Sequence, residues 1–346
     1  MGIRFLNSYL REKCSNSIHV MHMSNLSGKK IAVDVSIYLY KYETDNVLLE
    51  NMYLMLSIFR HYNITPIFIF DGKPPPEKRA LLVKRKEDKK EAQQEYETLK
   101  KSLENNISYD DTEKQDIINT MDQLKKQFVN INRDKIELIK SLIRAYGATY
   151  YDAPGEADEL CALLVLKKIV WACLSEDMDM FVYGCTRVLR YFSLINHSIV
   201  LYNMKDILGD LSMSHTEFKE ICILSGTDYN VHANTLHGKG KDKGKEKDKD
   251  KDKIKGKNAD INLYETLKLF YKYKDDKTKG NFYSWLQDNT DYISDLELLE
   301  RINQMFDLID DKCSLENFKY IKIINGPINN VLLQEIMRED GFIFIR

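Results

Sequence analysis

The chain sets seven carboxylates behind apolar runs, and that placement restricts its fold more than any other feature. Asp34 follows IAV, Asp71 follows PIFIF, and Asp177 and Asp179 follow VWACLSE. Glu156 and Asp158 come after the short run ATYYDAPG, and Asp228 closes ICILSGTDY. In a parallel α/β sheet, the carboxyl ends of the strands line the crevice where ligands bind. Acids gathered there repel one another, by about 4 kcal/mol per pair at ~4 Å and an effective dielectric of ~20. Hard divalent cations take oxygen ligands of this kind and resolve the conflict. One Asp at a strand end is ordinary turn or cap chemistry. Two i, i+2 acid pairs with three single acids are not, and the pattern predicts a two-metal site for phosphodiester chemistry.

Apolar periodicity supplies the frame around these acids. Residues 30–35 read as a first strand running into Asp34, and residues 66–70 as a second that delivers Asp71. Between them, residues 47–62 carry apolar side chains at spacings of three and four, the signature of a helix against a sheet. From residue 74 to about 130 the composition turns to Lys, Glu and Gln with few apolar anchors. Such a stretch is ordinarily a solvated helical face. Placed directly after Asp71 and between two strands, it predicts a helical excursion over the mouth of the site. A helix at about 134–146 returns to a strand at 148–151. Pro154 stands where proline favours a helix start, which predicts Glu156 and Asp158 in a first turn, beside free N–H groups and the positive end of the dipole. Residues 170–174 form a buried strand before SEDMD, and Arg187–Ser193 with Ser198–Asn203 form a hairpin-type pair. Ser214 and Glu217 make a capping box for a helix ending near Ser225. Residues 263–273 are an amphipathic helix, and the remainder to Arg346 is mainly helical.

A chain of 346 residues, 43% hydrophobic and 30% charged, can hold one large α/β domain and a smaller helical one. Net charge is only −2, with no global basic excess. That average conceals residues 238–257, where ten lysines alternate with five acids and a few other residues, so the rest carries about −7. Ile254 is the one core-forming residue of this tract, which predicts a disordered, solvated insert. The six cysteines are scattered through mostly apolar segments with no CxxC spacing, which predicts reduced thiols in an intracellular compartment. His19 and His22 lie three apart and His232 and His237 five apart, without the further ligands of a zinc site. No apolar run is long enough to span a membrane and no signal peptide is visible. Leu6 occupies the place where a myristoylation signal at Gly2 needs Ser or Thr. No membrane partner is expected.

The words around the acids carry a resemblance. MGIRFL, IAVDVSIYLY, FIFDGKPPPEKR, DAPGEADELCALL, SEDMD and ILSGTDY occur in that order up to about residue 230. Together they closely resemble the flap endonuclease family of structure-specific 5′ nucleases, the xeroderma pigmentosum group G type. The resemblance implies an α/β fold: a central, mostly parallel twisted sheet with helices on both faces (a PIN-like nuclease core), a helical arch and a C-terminal helical region. It sets a nuclease domain at 1–235 with the arch at about 73–132, the Lys/Asp-rich insert at 236–260 and the helical region at 261–346. Asp34, Asp71, Glu156, Asp158, Asp177, Asp179 and Asp228 match the family's ligands for two Mg²⁺ ions, with Mn²⁺ able to substitute. Lys78 and Arg85 match its catalytic Lys and Arg at the base of the arch; seven residues apart, a helix puts them on one face two turns apart. Tyr40 matches the tyrosine that stacks on a base near the cut. Gly2, Lys84, Lys86, Lys89 and Lys90 are further DNA-contact candidates, the lysines as phosphate contacts without sequence information. The implied partner is branched or flapped DNA, bound by a monomer.

Two departures stand out. The family usually has Glu where Asp158 stands, a side chain one methylene longer; Asp can still ligate, through water. After Asp228, the family's helix–two-turn–helix element, which grips duplex with a potassium ion, survives only faintly in Gly238–Lys239–Gly240. No sliding-clamp peptide ends the chain, so clamp recruitment is not expected. Three activities share this pattern: a 5′ flap endonuclease of replication, recombination or repair, a 5′ exonuclease or other junction nuclease on the same site, and an inactive nucleic-acid-binding relative. Seven mutually repelling carboxylates have no use in the last.

The Lys/Asp tract generates a prediction of its own. Its excess of about five positive charges attracts phosphates through counterion release, with a salt slope of roughly −0.9 per neutralised phosphate. Replacing residues 238–257 with a short Gly/Ser linker is expected to leave Tm nearly unchanged, because long loop insertions cost little, and to make the salt dependence of duplex affinity shallower. An unchanged slope in a binding titration at several salt concentrations assigns the tract no part in DNA affinity.

Overall fold

The computed structural model describes residues 2–105, 111–230, 262–276, 281–293, 295–308, 315, 317–339 and 341–342. The expected insert at 236–260, with Gly238–Lys239–Gly240, lies outside the described residues. The first elements are α1 (Leu6–Lys13), β1 (Ile18–His22), β2 (Lys30–Asp34), α2 (Val35–Thr44), α3 (Leu48–His61) and β3 (Thr65–Phe70). A short 3₁₀ turn, Pro76–Lys78, leads into α4 (Arg79–Asn105), α5 (Asp111–Gln127), α6 (Arg133–Ala145) and β4 (Thr149–Asp152). Then come α7 (Ala157–Leu166), β5 (Ala172–Leu174), α8 (Asp179–Val182), β6 (Arg187–Ser193), β7 (Ser198–Asn203), α9 (Met204–Leu211) and α10 (His215–Ser225). The last are α11 (Leu263–Asp275), α12 (Phe282–Asn289), α13 (Leu296–Met305) and α14 (Asn330–Glu339).

These elements fall into two units. One comprises Val20–Glu176, Leu189–Leu201 and Cys313–Arg346, the other Met1–His19, Asp177–Val188 and Tyr202–Lys312. The first holds the sheet, apart from the ends of β1, β6 and β7. Its seven strands run in the order β1-β7-β6-β5-β2-β3-β4. β2 pairs in parallel with both β3 and β5, and β3 with β4. Four residues join β6 to β7, which leaves room only for an antiparallel hairpin. Strand alternation divides the side chains between two faces. Ile31, Val33, Phe68, Phe70, Ala172 and Leu174 face a core shared with Met52, Phe59, Ile139 and Leu142 of α3 and α6. On the other face Cys173 meets Cys161 of α7. Helices therefore cover both faces, and the fold is the expected mostly parallel α/β sheet.

The expected helical excursion is present as α4 and α5, with Tyr96 edge-on to Phe128 at 5.4 Å. The hairpin strands occupy the expected residues, and Ser214 and Glu217 form the expected capping box on α10. The second unit is helical; Leu6, Leu10, Phe181, Phe218, Leu267, Phe270, Phe282 and Ile302 are among its buried residues. α14 belongs to the first unit, where Leu333, Ile336 and Met337 join the core beside α6. The five described cysteines, Cys14, Cys161, Cys173, Cys185 and Cys222, are buried free thiols. Among the described residues no helix is long and apolar enough to cross a membrane.

One helix start differs from the expectation. Pro154 does not open α7, which begins at Ala157 with Glu156 as its extended N-cap residue. Only Asp158 of the pair lies in the first turn. The cause is a backbone clasp: the Gly72 N–H donates to the Gly155 carbonyl at 2.7 Å and Lys73 N–H to the Pro154 carbonyl at 3.4 Å. Those bonds hold residues 154–155 in a bend against the loop after β3, outside the helix. A Cβ on Gly72 would sit 1.9 Å from the Ala153 carbonyl oxygen, which is backbone and cannot step aside. Gly72→Ala is therefore expected to destabilise the fold by at least about 1–3 kcal/mol, read as a lower denaturation midpoint at an unchanged m-value.

Candidate active site

The first unit contributes four of the seven acids, and strand register decides where they lie. Asp34, the last residue of β2, is in register with Ile69 of β3, two residues before Asp71. Both carboxylates thus leave the same edge of the sheet. Val33 is in register with Leu174 of β5, so Ser175 emerges beside Asp34. Its hydroxyl donates to Asp34 Oδ2 at 2.8 Å, and Asp34 is only 5% exposed. Asp71 reaches over to accept the Ala157 N–H at 2.9 Å, so it supplies the cap that the Glu156 side chain does not. Asp158, also buried, accepts the Glu159 N–H at 2.7 Å. The orphan donors of the first turn are thereby taken by carboxylates, as the dipole favours. Glu156 pairs with Lys78.

The basic candidates occupy the start of the excursion. Lys78 is the last residue of the 3₁₀ turn, one residue before α4. The seven-residue helical spacing to Arg85 therefore does not apply over its first step, since the tighter turn precedes the α-helix. Lys84, Lys86 and Lys90 are exposed on α4, whereas Lys89 is half-buried. Lys89 donates to the Val129 carbonyl at 3.0 Å and lies 5.1 Å from the Tyr40 ring centroid. The three neighbouring tyrosines separate cleanly: Tyr38 and Tyr42 are buried, and Tyr40 is 45% exposed. Burial, with Glu176, Tyr42 and Asp34 nearby, holds the Tyr38 phenol well above its ordinary range. Burial, followed by Cys173, Asp34 and Asp158, raises the Cys161 thiol likewise. These groups remain neutral neighbours of the acids.

The second unit contributes Gly2, Asp177, Asp179 and Asp228. Asp179 opens α8 and is 2% exposed, and its N–H donates to Asp177 Oδ1 at 3.0 Å. A Cβ on Gly2 would lie 2.7 Å from Oδ1 of both aspartates, and Gly2 has a φ of 75°. That position requires glycine on both grounds. Asp228 follows a helix, α10, and not a strand: the apolar run ICIL is helical. Its loop is closed by Asn230, whose Oδ1 accepts from Thr227 N at 2.5 Å and whose Nδ2 donates to the Ile223 carbonyl at 2.7 Å.

Sequence reasoning missed Ser175, Thr227 and Asn230, all buried polar residues within two or three positions of an acid. That proximity was the available signal. Glu176, the acid of SEDMD left out of the ligand set, accepts the Tyr191 N–H at 2.6 Å and faces Arg190 Nε at 3.5 Å, a structural anchor to β6. Among the described residues no three His, Cys, Asp or Glu side chains already form an assembled metal centre. The donor chemistry fits hard divalent ions all the same. Every candidate ligand is a carboxylate, and Asp34, Asp158 and Asp179 are at most 8% exposed, where charge is costly without a counter-ion.

Comparison with known proteins identifies the family. The XPG N-terminal domain matches residues 1–92 and the XPG I-region matches residues 147–228. Flap endonuclease 1 of Encephalitozoon cuniculi is 32% identical over 257 residues, covering 69% of this chain and 70% of that protein. The chain belongs to the XPG-type flap endonuclease family. Flap endonuclease 1 of Trypanosoma cruzi is 30% identical over 251 residues, and the chain spans 61% of its length. Among solved structures, the catalytic core of Rad2 in complex with DNA substrate superposes with a TM-score of 0.60 at 18% identity, over 97% of this chain and 95% of that one. Flap endonuclease-1 from Methanococcus jannaschii gives 0.58 at 19% identity, over 93% of this chain and 90% of that one. These likenesses show a shared fold.

Removing a functional acid relieves repulsion, and functional acids are often unfavourable for stability. Asp177→Ala and Asp179→Ala are each expected to abolish cleavage while Tm stays level or rises slightly. Mg²⁺-dependent turnover retained in the double variant would refute the ligand assignment.

Proposed function

We propose that this flap endonuclease family member is a metal-dependent, structure-specific 5′ flap endonuclease that hydrolyses DNA phosphodiesters with two divalent cations. The observation that carries the reading is the sheet edge where register brings Asp34, Asp71 and the Ser175 hydroxyl out together. Asp34, Asp71, Glu156, Asp158, Asp177, Asp179 and Asp228 are the ligands proposed for Mg²⁺ or Mn²⁺. When bound, such ions lower the pKa of a water and stabilise the attacking and leaving oxygens.

The chain's own residues supply position and charge. Ser175 fixes the carboxylate of Asp34, and Asp71 ties the start of α7 to the end of β3. Lys78, paired with Glu156, and Arg85 act on the scissile phosphate, where negative charge grows in the transition state. Tyr40 offers its exposed ring to a base near the cut; stacking of this kind is worth roughly 1–3 kcal/mol. Lys84, Lys86 and Lys90 contact phosphates, whereas Lys89 is engaged within the fold. The substrate is branched or flapped DNA, and the chain works as a monomer.

A Mg²⁺-dependent cleavage assay on a labelled 5′ flap, a nicked duplex and a blunt end tests the reading. The flap is expected to be cut fastest; preference for the nick or the blunt end moves the activity to a 5′ exonuclease, and no cleavage of any member refutes it. Lys78→Ala and Arg85→Ala are each expected to slow single-turnover cleavage by roughly 10²–10³-fold, with a much smaller change in DNA affinity. Steady single-turnover rates with a raised Kd make them ordinary backbone contacts.

A further inference from the structure

Sequence spacing pairs His22 with His19, but the fold pairs it with His197. Both imidazoles aim a ring nitrogen at one oxygen, the hydroxyl of Tyr62. His22 Nε2 lies 3.4 Å from it and His197 Nδ1 2.9 Å. The rings of His22 and His197 stand nearly edge-on to Tyr62, at 85° and 77°, and their centroids are 6.5 Å apart. The three residues come from three places in one unit: the end of β1, the C-cap of α3 and the β6–β7 turn.

This convergence is held from behind. The Met23 N–H donates to the His197 carbonyl at 2.9 Å, which locks the two histidine-bearing loops together. His197 is kept in the left-handed region at φ 47°, a conformation that histidine adopts more readily than most residues but still infrequently. His22 Nδ1 lies 2.9 Å from Ser24 Oγ and accepts the Ser24 N–H at 3.3 Å. In the described state that bond leaves the proton on Nε2, which donates to Tyr62 Oη, and Tyr62 then donates to His197 Nδ1. The other tautomer gives up the Ser24 N–H bond but keeps the hydroxyl contact: Nδ1–H donates to Ser24 Oγ and frees the Nε2 lone pair. A second-sphere acceptor of that type orients metal-binding histidines.

We infer that His22 Nε2, His197 Nδ1 and Tyr62 Oη, the last as the phenolate with its proton released to solvent on binding, form a binding site for a borderline transition-metal dication of the Zn²⁺ class. In a tetrahedral site with metal–ligand distances of about 2.0–2.1 Å, neighbouring ligand atoms stand about 3.3–3.4 Å apart. The two imidazole-to-hydroxyl separations, 2.9 and 3.4 Å, lie at or just below that edge, so these contacts accept an ion with a small outward shift. His22 is exposed, which gives an entry path and a position for a water as fourth ligand. Two imidazoles select Zn²⁺, Co²⁺, Ni²⁺ or Cu²⁺ over Mg²⁺, so this site and the carboxylates draw on different ions. Bound there, the ion staples the end of β1, the end of α3 and the β6–β7 turn.

The test uses the full chain in saturating Mg²⁺, so that the carboxylates are occupied, with Co²⁺ titrated as a visible probe. One equivalent is expected to give the intense d–d absorption of four-coordinate cobalt, and Zn²⁺ to bleach it. The bands are expected to vanish in H22Q and in H197Q, to weaken in Y62F and to persist in H19Q. Zn²⁺ is expected to raise Tm by a few degrees, roughly, at a hundredfold excess over Kd, in the parent chain and not in H22Q. Three results overturn the inference: no four-coordinate bands, bands unchanged in both H22Q and H197Q, or bands abolished by H232Q/H237Q with His22 intact. Each variant's Mg²⁺-dependent cleavage is read separately, so loss of the cobalt signal with normal cleavage leaves the nuclease reading untouched.

Discussion

Parallel pairing of β2 with both β3 and β5 is the interaction on which the candidate site rests. Parallel neighbours end on the same side, so their last residues emerge together. Here that edge receives Asp34 from β2, Asp71 from the loop after β3 and Ser175 from the end of β5. A one-residue slip would send each of these side chains to the opposite face. The apolar core beneath, Ile31, Val33, Phe68 and Leu174 among others, penalises such a slip and so fixes the positions of the charges above it.

Much of this was legible because it is written in local patterns. Uninterrupted apolar runs marked β2 and β3, and polarity change marked the α4–α5 excursion. Ser214 and Glu217 announced the start of α10 through a motif three residues long. Elements that depend on distant partners were not legible. α2 carries Val, Ile and Tyr in a strand-like mixture and is helical because Tyr38, Leu39 and Tyr42 pack into the core. α7 starts three residues after Pro154 because Gly72, far off in sequence, clasps residues 154–155.

The same division holds within the site. The acids were visible as a set through their shared position behind apolar runs, although the runs differ in kind: strand before Asp34 and Asp71, helix before Asp228. The groups that orient the acids were not visible. Nothing in Ser175 taken alone distinguishes it from other serines; only strand register puts its hydroxyl on Asp34. Tyr40 shows the reverse, since it is exposed between Tyr38 and Tyr42, which lie four apart on the buried face of α2.

Asp71 holds two positions at once. Its Oδ1 accepts the first N–H of α7, and its charge is among those offered to a cation. A carboxylate drawn toward a dication is a weaker acceptor for the amide, and one held by the amide is less free to move to the ion. By reciprocity of coupled equilibria, whatever loosens the start of α7 would alter affinity for the proposed cation, and its occupancy would in turn alter the seating of the helix that bears Asp158 and Cys161. The proposed ion site is thus coupled, through a helix cap, to the helix that meets Cys173 on one face of the sheet.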